Sequence, residues 1–175
     1  MNDVAATSPN VSLIELLPAD AIQEIDRWIA KYPTEQRQSA VIQTLMIAQE
    51  HNEGWLTDEW ITAVANYLQM PKIAVYEVAT FYSMYDLKPV GKHKIYVCTN
   101  ISCKLCGCDR IVDHLKQKLG VKLGETTDDG RFTLREFECL GACIGAPMMQ
   151  IDKTYYEQLT TEKVDDILQS FQENE

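Results

Sequence analysis

The spacing of apolar residues changes partway along this 175-residue chain. That change limits what the two halves can become. Up to about Tyr85 the apolar side chains recur at helical intervals. Ile22, Ile25, Trp28 and Ile29 mark a helix over 18–31, which Pro33 stops. Val41, Thr44, Leu45 and Ala48 share one face of a second helix over 35–51, ended by Asn52 and Gly54. Thr57 can cap a third. Asp58 and Glu59 suit its first turn, and Ile61, Val64, Ala65 and Leu68 form its apolar stripe. Pro71 opens a fourth segment, 71–85, read as helix, although its β-branched and aromatic content also suits a strand.

Beyond the Pro/Gly punctuation at 86–92 the period changes. Residues 92–98 read as a strand. Residues 108–120 read as a helix with Ile111, Val112, Leu115 and Leu119 inward and Gly120 as its stop. A loop at 124–130 precedes a second strand at 131–137, and 147–152 is a third. Residues 153–158 are a turn leading to a short fourth strand. Thr160 caps the last helix, Leu159 and Val164 sit at staple positions, and Val164, Ile167, Leu168 and Phe171 form its stripe. The expected class is mixed, α+β or α/β. A helical bundle occupies 1–88, its first 12 residues a flexible arm, and a β-α-β-β-β-α domain occupies 89–175. If the second strand pairs in parallel with the first, the loop after residue 98 lies where open α/β sheets place ligands.

That loop and the residues bounding it carry four of the six cysteines, Cys98, Cys103, Cys106 and Cys108; Cys139 and Cys143 follow downstream. No Lys or Arg precedes Arg27, which argues against a secretory or transit segment. A reducing compartment is then expected, where clustered thiols bind metal or do chemistry more often than they form disulfides. No apolar run approaches the roughly 18 residues of a membrane span. A net charge of −10 argues against nucleic acid as a partner. No Gly-rich dinucleotide or P-loop fingerprint is present, so no nucleotide is expected on this chain. His51, His93 and His114 are scattered and stand at no ligand spacing. Trp28, Trp55, Trp60, Phe81, Tyr82 and Tyr85 read as core, with some available for a partner face.

Four readings of the thiols compete. Buried cysteines often serve as small apolar side chains, but six with four so close together make that weak. Cys103 and Cys106 form a C-x-x-C between a strand and a helix, as in thiol redox pairs, yet that leaves Cys98, Cys139 and Cys143 without a role. Two hooks, Cys98/Cys103 and Cys139/Cys143, suit a structural zinc. An iron–sulfur cluster suits either those two pairs or the plant-type grouping of Cys98, Cys103, Cys106 and Cys139. Gly141 and Ala142 favour the two pairs, because small residues let backbone N–H groups approach the sulfurs. Spacing alone separates neither the metals nor the two ligand sets.

Longer phrases carry more. "VCTNISC" (97–103) and "ECLGACIGAPMMQID" (138–152) stand with "EVATFYSMY" (77–85), "KPVGKHKIYVC" (88–98), "GETTDDGRFTL" (124–134) and "YYEQLT" (155–160). Together they resemble the thioredoxin-like 2Fe–2S ferredoxin family, and within it the E subunits of bacterial NADH–quinone oxidoreductases. The resemblance runs from about Pro18 to Phe171. It implies a helical bundle followed by a thioredoxin-like ferredoxin domain. It implies one 2Fe–2S cluster on Cys98, Cys103, Cys139 and Cys143, with no ligand role for Cys106 or Cys108. It implies electron transfer as one subunit of an NADH:quinone oxidoreductase, a translocase in which FMN and NADH sit on a partner flavoprotein subunit. The chain would then join the peripheral arm on the cytoplasmic side of the inner membrane. Related subunits serve NAD-linked formate dehydrogenases and hydrogenases, which stay as alternatives. A zinc-binding structural module on the same cysteines is the alternative of another class. Four thiolates and added negative charge on reduction imply a low potential, roughly −400 mV as in plant-type ferredoxins. Glu136 and Glu138 would lower it further if close, and Lys104 and Arg110 would raise it.

Overall fold

In the computed structural model, which describes residues 11–173, contacts fall into two units that meet in sequence between Pro89 and Val90. The expected arm lies, up to residue 10, outside the described residues. The first unit is helical: α1 (Leu13–Leu16), α2 (Ala19–Ile29), a 3-10 segment (Thr34–Ala40), α3 (Val41–His51), α4 (Asp58–Leu68) and α5 (Lys72–Phe81). The Trp60 N–H donates to Thr57 Oγ1 at 3.3 Å, the cap read from the sequence. Ile25 of α2, Leu45 of α3, Ile61, Val64 and Leu68 of α4 and Val75 of α5 are buried together.

Three local details differ from the sequence reading. The helix expected over 35–51 starts only at Val41. Its first part is 3-10 and Gln36 leaves helical geometry. There the Arg37 guanidinium reaches the Tyr67 carbonyl at 2.8 Å, a tertiary contact that periodicity cannot foresee. The helix expected over 71–85 ends at Phe81, and Tyr82 is extended. The chain turns because Tyr85 Oη donates to the Ile42 carbonyl (2.7 Å) and the Asp86 N–H donates to Gln49 Oε1 (2.7 Å). Short α1 was not anticipated, because four residues carry too little periodicity to register.

The second unit comprises β1 (His93–Cys98), α6 (Ile101–Leu105), α7 (Cys108–Leu119), β2 (Phe132–Phe137), β3 (Met149–Ile151), β4 (Thr154–Tyr156) and α8 (Thr161–Glu173). The sheet order is β2-β1-β3-β4. β1 runs parallel to β2, with His93 opposite Phe132 and Cys98 opposite Phe137. β3 is antiparallel to both β1 and β4. Ile95, Val97, Leu134, Met149 and Ile151 pack with Ile111 and Leu115 of α7 and Val164 and Leu168 of α8. Residues 153–158 contain β4 itself; they are not a turn before it. The loop expected to follow β1 contains α6. Among the described residues no helix is long and apolar enough to cross a membrane.

Candidate metal centre

The parallel pairing of β1 with β2 does most to assemble the site. Cys98 is the last residue of β1 and stands opposite Phe137, so both strands finish at the same end of the sheet. The segment after β1 carries Cys103, and the segment after β2 carries Cys139 and Cys143. Cysteines some forty residues apart thus leave from one place. The Thr99 N–H extends the pairing to the Phe137 carbonyl (3.1 Å), and the Cys98 N–H reaches the Met148 carbonyl (3.2 Å).

Cys98 and Cys103 are buried, at 2% and 1% exposure, while Cys139 and Cys143 are exposed. Burial pushes the Cys98 thiol up. The Leu140 and Asn100 N–H groups and the Cys103 and Cys139 thiols, all hydrogen-bonded to its sulfur, outweigh burial and hold its pKa below the ordinary value. Burial pushes Cys103 up to about 11, and its bond to Cys98 adds to the rise; the Met148 N–H opposes it. Of the two buried thiols, Cys98 is therefore the readier to ionise. Leu140 follows Cys139 directly, so the downstream loop closes over Cys98 with its backbone donor.

That loop is held from behind. Tyr155 Oη donates to the Leu140 carbonyl at 2.8 Å. Gly141 has φ +78°, a left-handed conformation that a side chain resists, and the chain bends there between Cys139 and Cys143. A 3-10 turn, Cys143–Gly145, follows. The Gln158 N–H donates to the Gly145 carbonyl (2.6 Å) and the Leu159 N–H to the Pro147 carbonyl (2.9 Å).

The other two thiols separate. Cys106 is exposed just after α6, whereas Cys108 is fully buried and packs with Cys98, Cys103 and Met148. Burial, and next the Asp109 carboxylate, push Cys108 up, as expected of an inert core thiol. Lys104 pairs with Asp109 (3.6 Å), both well exposed. Glu136 and Glu138 are exposed. His93 and His114 bond Asp152 (2.7 Å) and Asp165 (2.9 Å), and His51 the Ile47 carbonyl (2.9 Å). The two carboxylate pairings join residues far apart in sequence and were not legible there. Tyr155 is the residue the sequence reading missed, because its bond to the Leu140 carbonyl joins positions 15 apart in the chain.

No group of three or more His, Cys, Asp or Glu among the described residues converges to hold a single metal ion. A two-iron, two-sulfide core asks for something else. It would be held by four Cys thiolates shared between two irons, so its ligands need not converge on one ion. Soft sulfur donors, backbone N–H groups aimed at a sulfur and a loop of small residues all fit such a core.

The profile of the family described as thioredoxin-like [2Fe-2S] ferredoxin matches residues 25–172. The E subunit of the NADH-quinone oxidoreductase of Rickettsia felis is 51% identical over 143 residues, covering 82% of this chain and 86% of the relative. The protein of the same description from Rickettsia bellii is 52% identical over 140 residues, covering 80% and 84%. The mitochondrial NADH dehydrogenase [ubiquinone] flavoprotein 2 of Dictyostelium discoideum is 40% identical over 164 residues, covering 91% and 66%. A chain of the air-oxidized NAD+-reducing [NiFe]-hydrogenase superposes with TM-score 0.64 at 19% identity, over 73% of this chain and 22% of that one. At that identity the likeness speaks for the fold alone.

Proposed function

Since the chain belongs to the thioredoxin-like [2Fe-2S] ferredoxin family, we propose that it is the electron-transfer subunit of an NADH–quinone oxidoreductase. Cys98, Cys103, Cys139 and Cys143 hold its one 2Fe–2S cluster. When bound, that cluster supplies one-electron transfer. FMN and NADH lie on a partner flavoprotein subunit. The two rickettsial relatives, half identical over most of their length, support this assembly. The hydrogenase likeness supports only a shared fold. The observation that carries the site is the Cys98 sulfur, bonded at once to Cys103, Cys139 and two backbone N–H groups.

This chain's residues have distinct tasks. Cys98 and Cys103 anchor the buried side, and Cys139 and Cys143 close the outer side. The Leu140 and Asn100 N–H groups offset charge on the Cys98 sulfur, which eases reduction. Ile101, Leu105 and Ile144 flank the ligands at 65%, 81% and 97% exposure. Covered by the flavoprotein, they would keep water from the outer thiolates. The assembly puts the chain in the peripheral arm on the cytoplasmic side of the membrane.

Purified aerobically, the full chain should be red-brown, carry about two irons, bleach with dithionite and then give an EPR signal. A colourless protein with stoichiometric zinc would establish the structural-module alternative instead.

Residues 1–88 and 89–175 are proposed as two domains, the first a docking module. On α5, Ile73, Tyr76 and Phe81 are 64%, 44% and 80% exposed, apolar side chains of the kind that anchor interface centres. Deleting residues 1–88 should abolish co-purification with the flavoprotein. Undiminished co-purification would refute the docking role.

A further inference from the structure

Gly145 is buried and closes the Cys143–Gly145 turn. It is not among the glycines with positive φ. Its backbone would therefore accept a side chain, and only space forbids one. A methyl group there would run into Glu157, 2.6 Å from the Glu157 Cβ and closer still to its carboxyl group. The Glu157 side chain thus lies across the turn that presents Cys143. The Gln158 N–H bonded to the Gly145 carbonyl (2.6 Å) fixes the same contact from the main chain. Lys163 Nζ donates to the Glu157 main-chain carbonyl (2.6 Å), not to its carboxylate.

We propose that Glu157 positions the Cys143 turn and that its carboxylate lowers the reduction potential of the centre. This rests on the function proposed above. A fixed negative charge beside a centre that gains negative charge on reduction disfavours the reduced form. The Lys163 ammonium, held on the Glu157 main-chain carbonyl, opposes part of that effect.

The full chain is purified with its cluster and titrated by EPR. Glu157→Gln keeps the shape and removes the charge. It should favour reduction by about tenfold, ~59 mV upward for one electron. Lys163→Met removes the neighbouring cation and should move the potential down. The packing is tested separately through iron content. Gly145→Ala should lower it severalfold, and combining Gly145→Ala with Glu157→Ala should restore it to that of Glu157→Ala alone. The proposal is overturned if Glu157→Gln does not raise the potential, or if the double variant holds no more iron than Gly145→Ala. If the unsubstituted chain gives no 2Fe–2S signal, the proposed function itself fails. If it gives the signal and these variants behave like it, only the role of Glu157 fails.

Discussion

Chain carrying Cys143→Ser will be purified nearly colourless, with iron content down by about tenfold or more, while Cys106→Ser will keep its iron and visible absorbance. Exposure does not distinguish the two thiols, since both are exposed. Placement does. Cys106 ends α6, beyond the buried Cys103, with its N–H on the Ser102 carbonyl at 3.2 Å. Cys143 opens the turn that the 155–159 segment buttresses, in the loop whose Leu140 N–H reaches Cys98. A loop bonded to Tyr155 through the Leu140 carbonyl and to Cys98 through the Leu140 N–H is built to present thiolates. Cys108→Ser is a different test. That thiol is fully buried, so a hydroxyl there should lower stability and leave the iron ligands in place. Iron lost from Cys106→Ser but kept by Cys143→Ser would instead favour the grouping of Cys98, Cys103, Cys106 and Cys139.

Leu115→Ala should destabilise the second unit by about 2–5 kcal/mol, whereas Ile144→Ala should change its stability by less than about 0.5 kcal/mol. Leu115 is fully buried on α7, packed in the layer formed by both helices and the sheet. Truncation removes methyl groups from water-free contact and leaves a cavity that surrounding strands cannot fill. Ile144 is 97% exposed and has nothing to lose on this chain. Because the chain has two units, hydrogen exchange of the β1 and β2 amides is a cleaner measure than one melting curve. Protection there should fall by about 30-fold to a few thousandfold in Leu115→Ala, if exchange proceeds through opening of the unit. Unchanged protection would mean the sheet is held by something other than its layer with α7.

The helices were legible because their signals are local. The Thr57 cap, the Gly120 stop and the Val164–Phe171 stripe each act within a few residues. The reading failed where a distant partner decides the backbone. Arg37 on Tyr67 accompanies the 3-10 segment before α3, and Tyr85 on Ile42 accompanies the turn after α5. The β4 strand was misread because three residues paired to β3 take their conformation from that partner.

The same division holds at the site. Spacing and residue type left iron and zinc, and two ligand groupings, open; the longer phrases then implied the family and its four cysteines. What no local pattern contained was the register of β1 on β2, which sets Cys98 opposite Phe137 and so brings the Cys139 loop within hydrogen-bond reach. Nor did it contain the support given to that loop by Tyr155 and Glu157. Helical periodicity and caps are encoded within a turn or two of chain. Parallel pairing and the closure of a loop over a sulfur depend on residues tens of positions apart, and only the folded sheet brings them together.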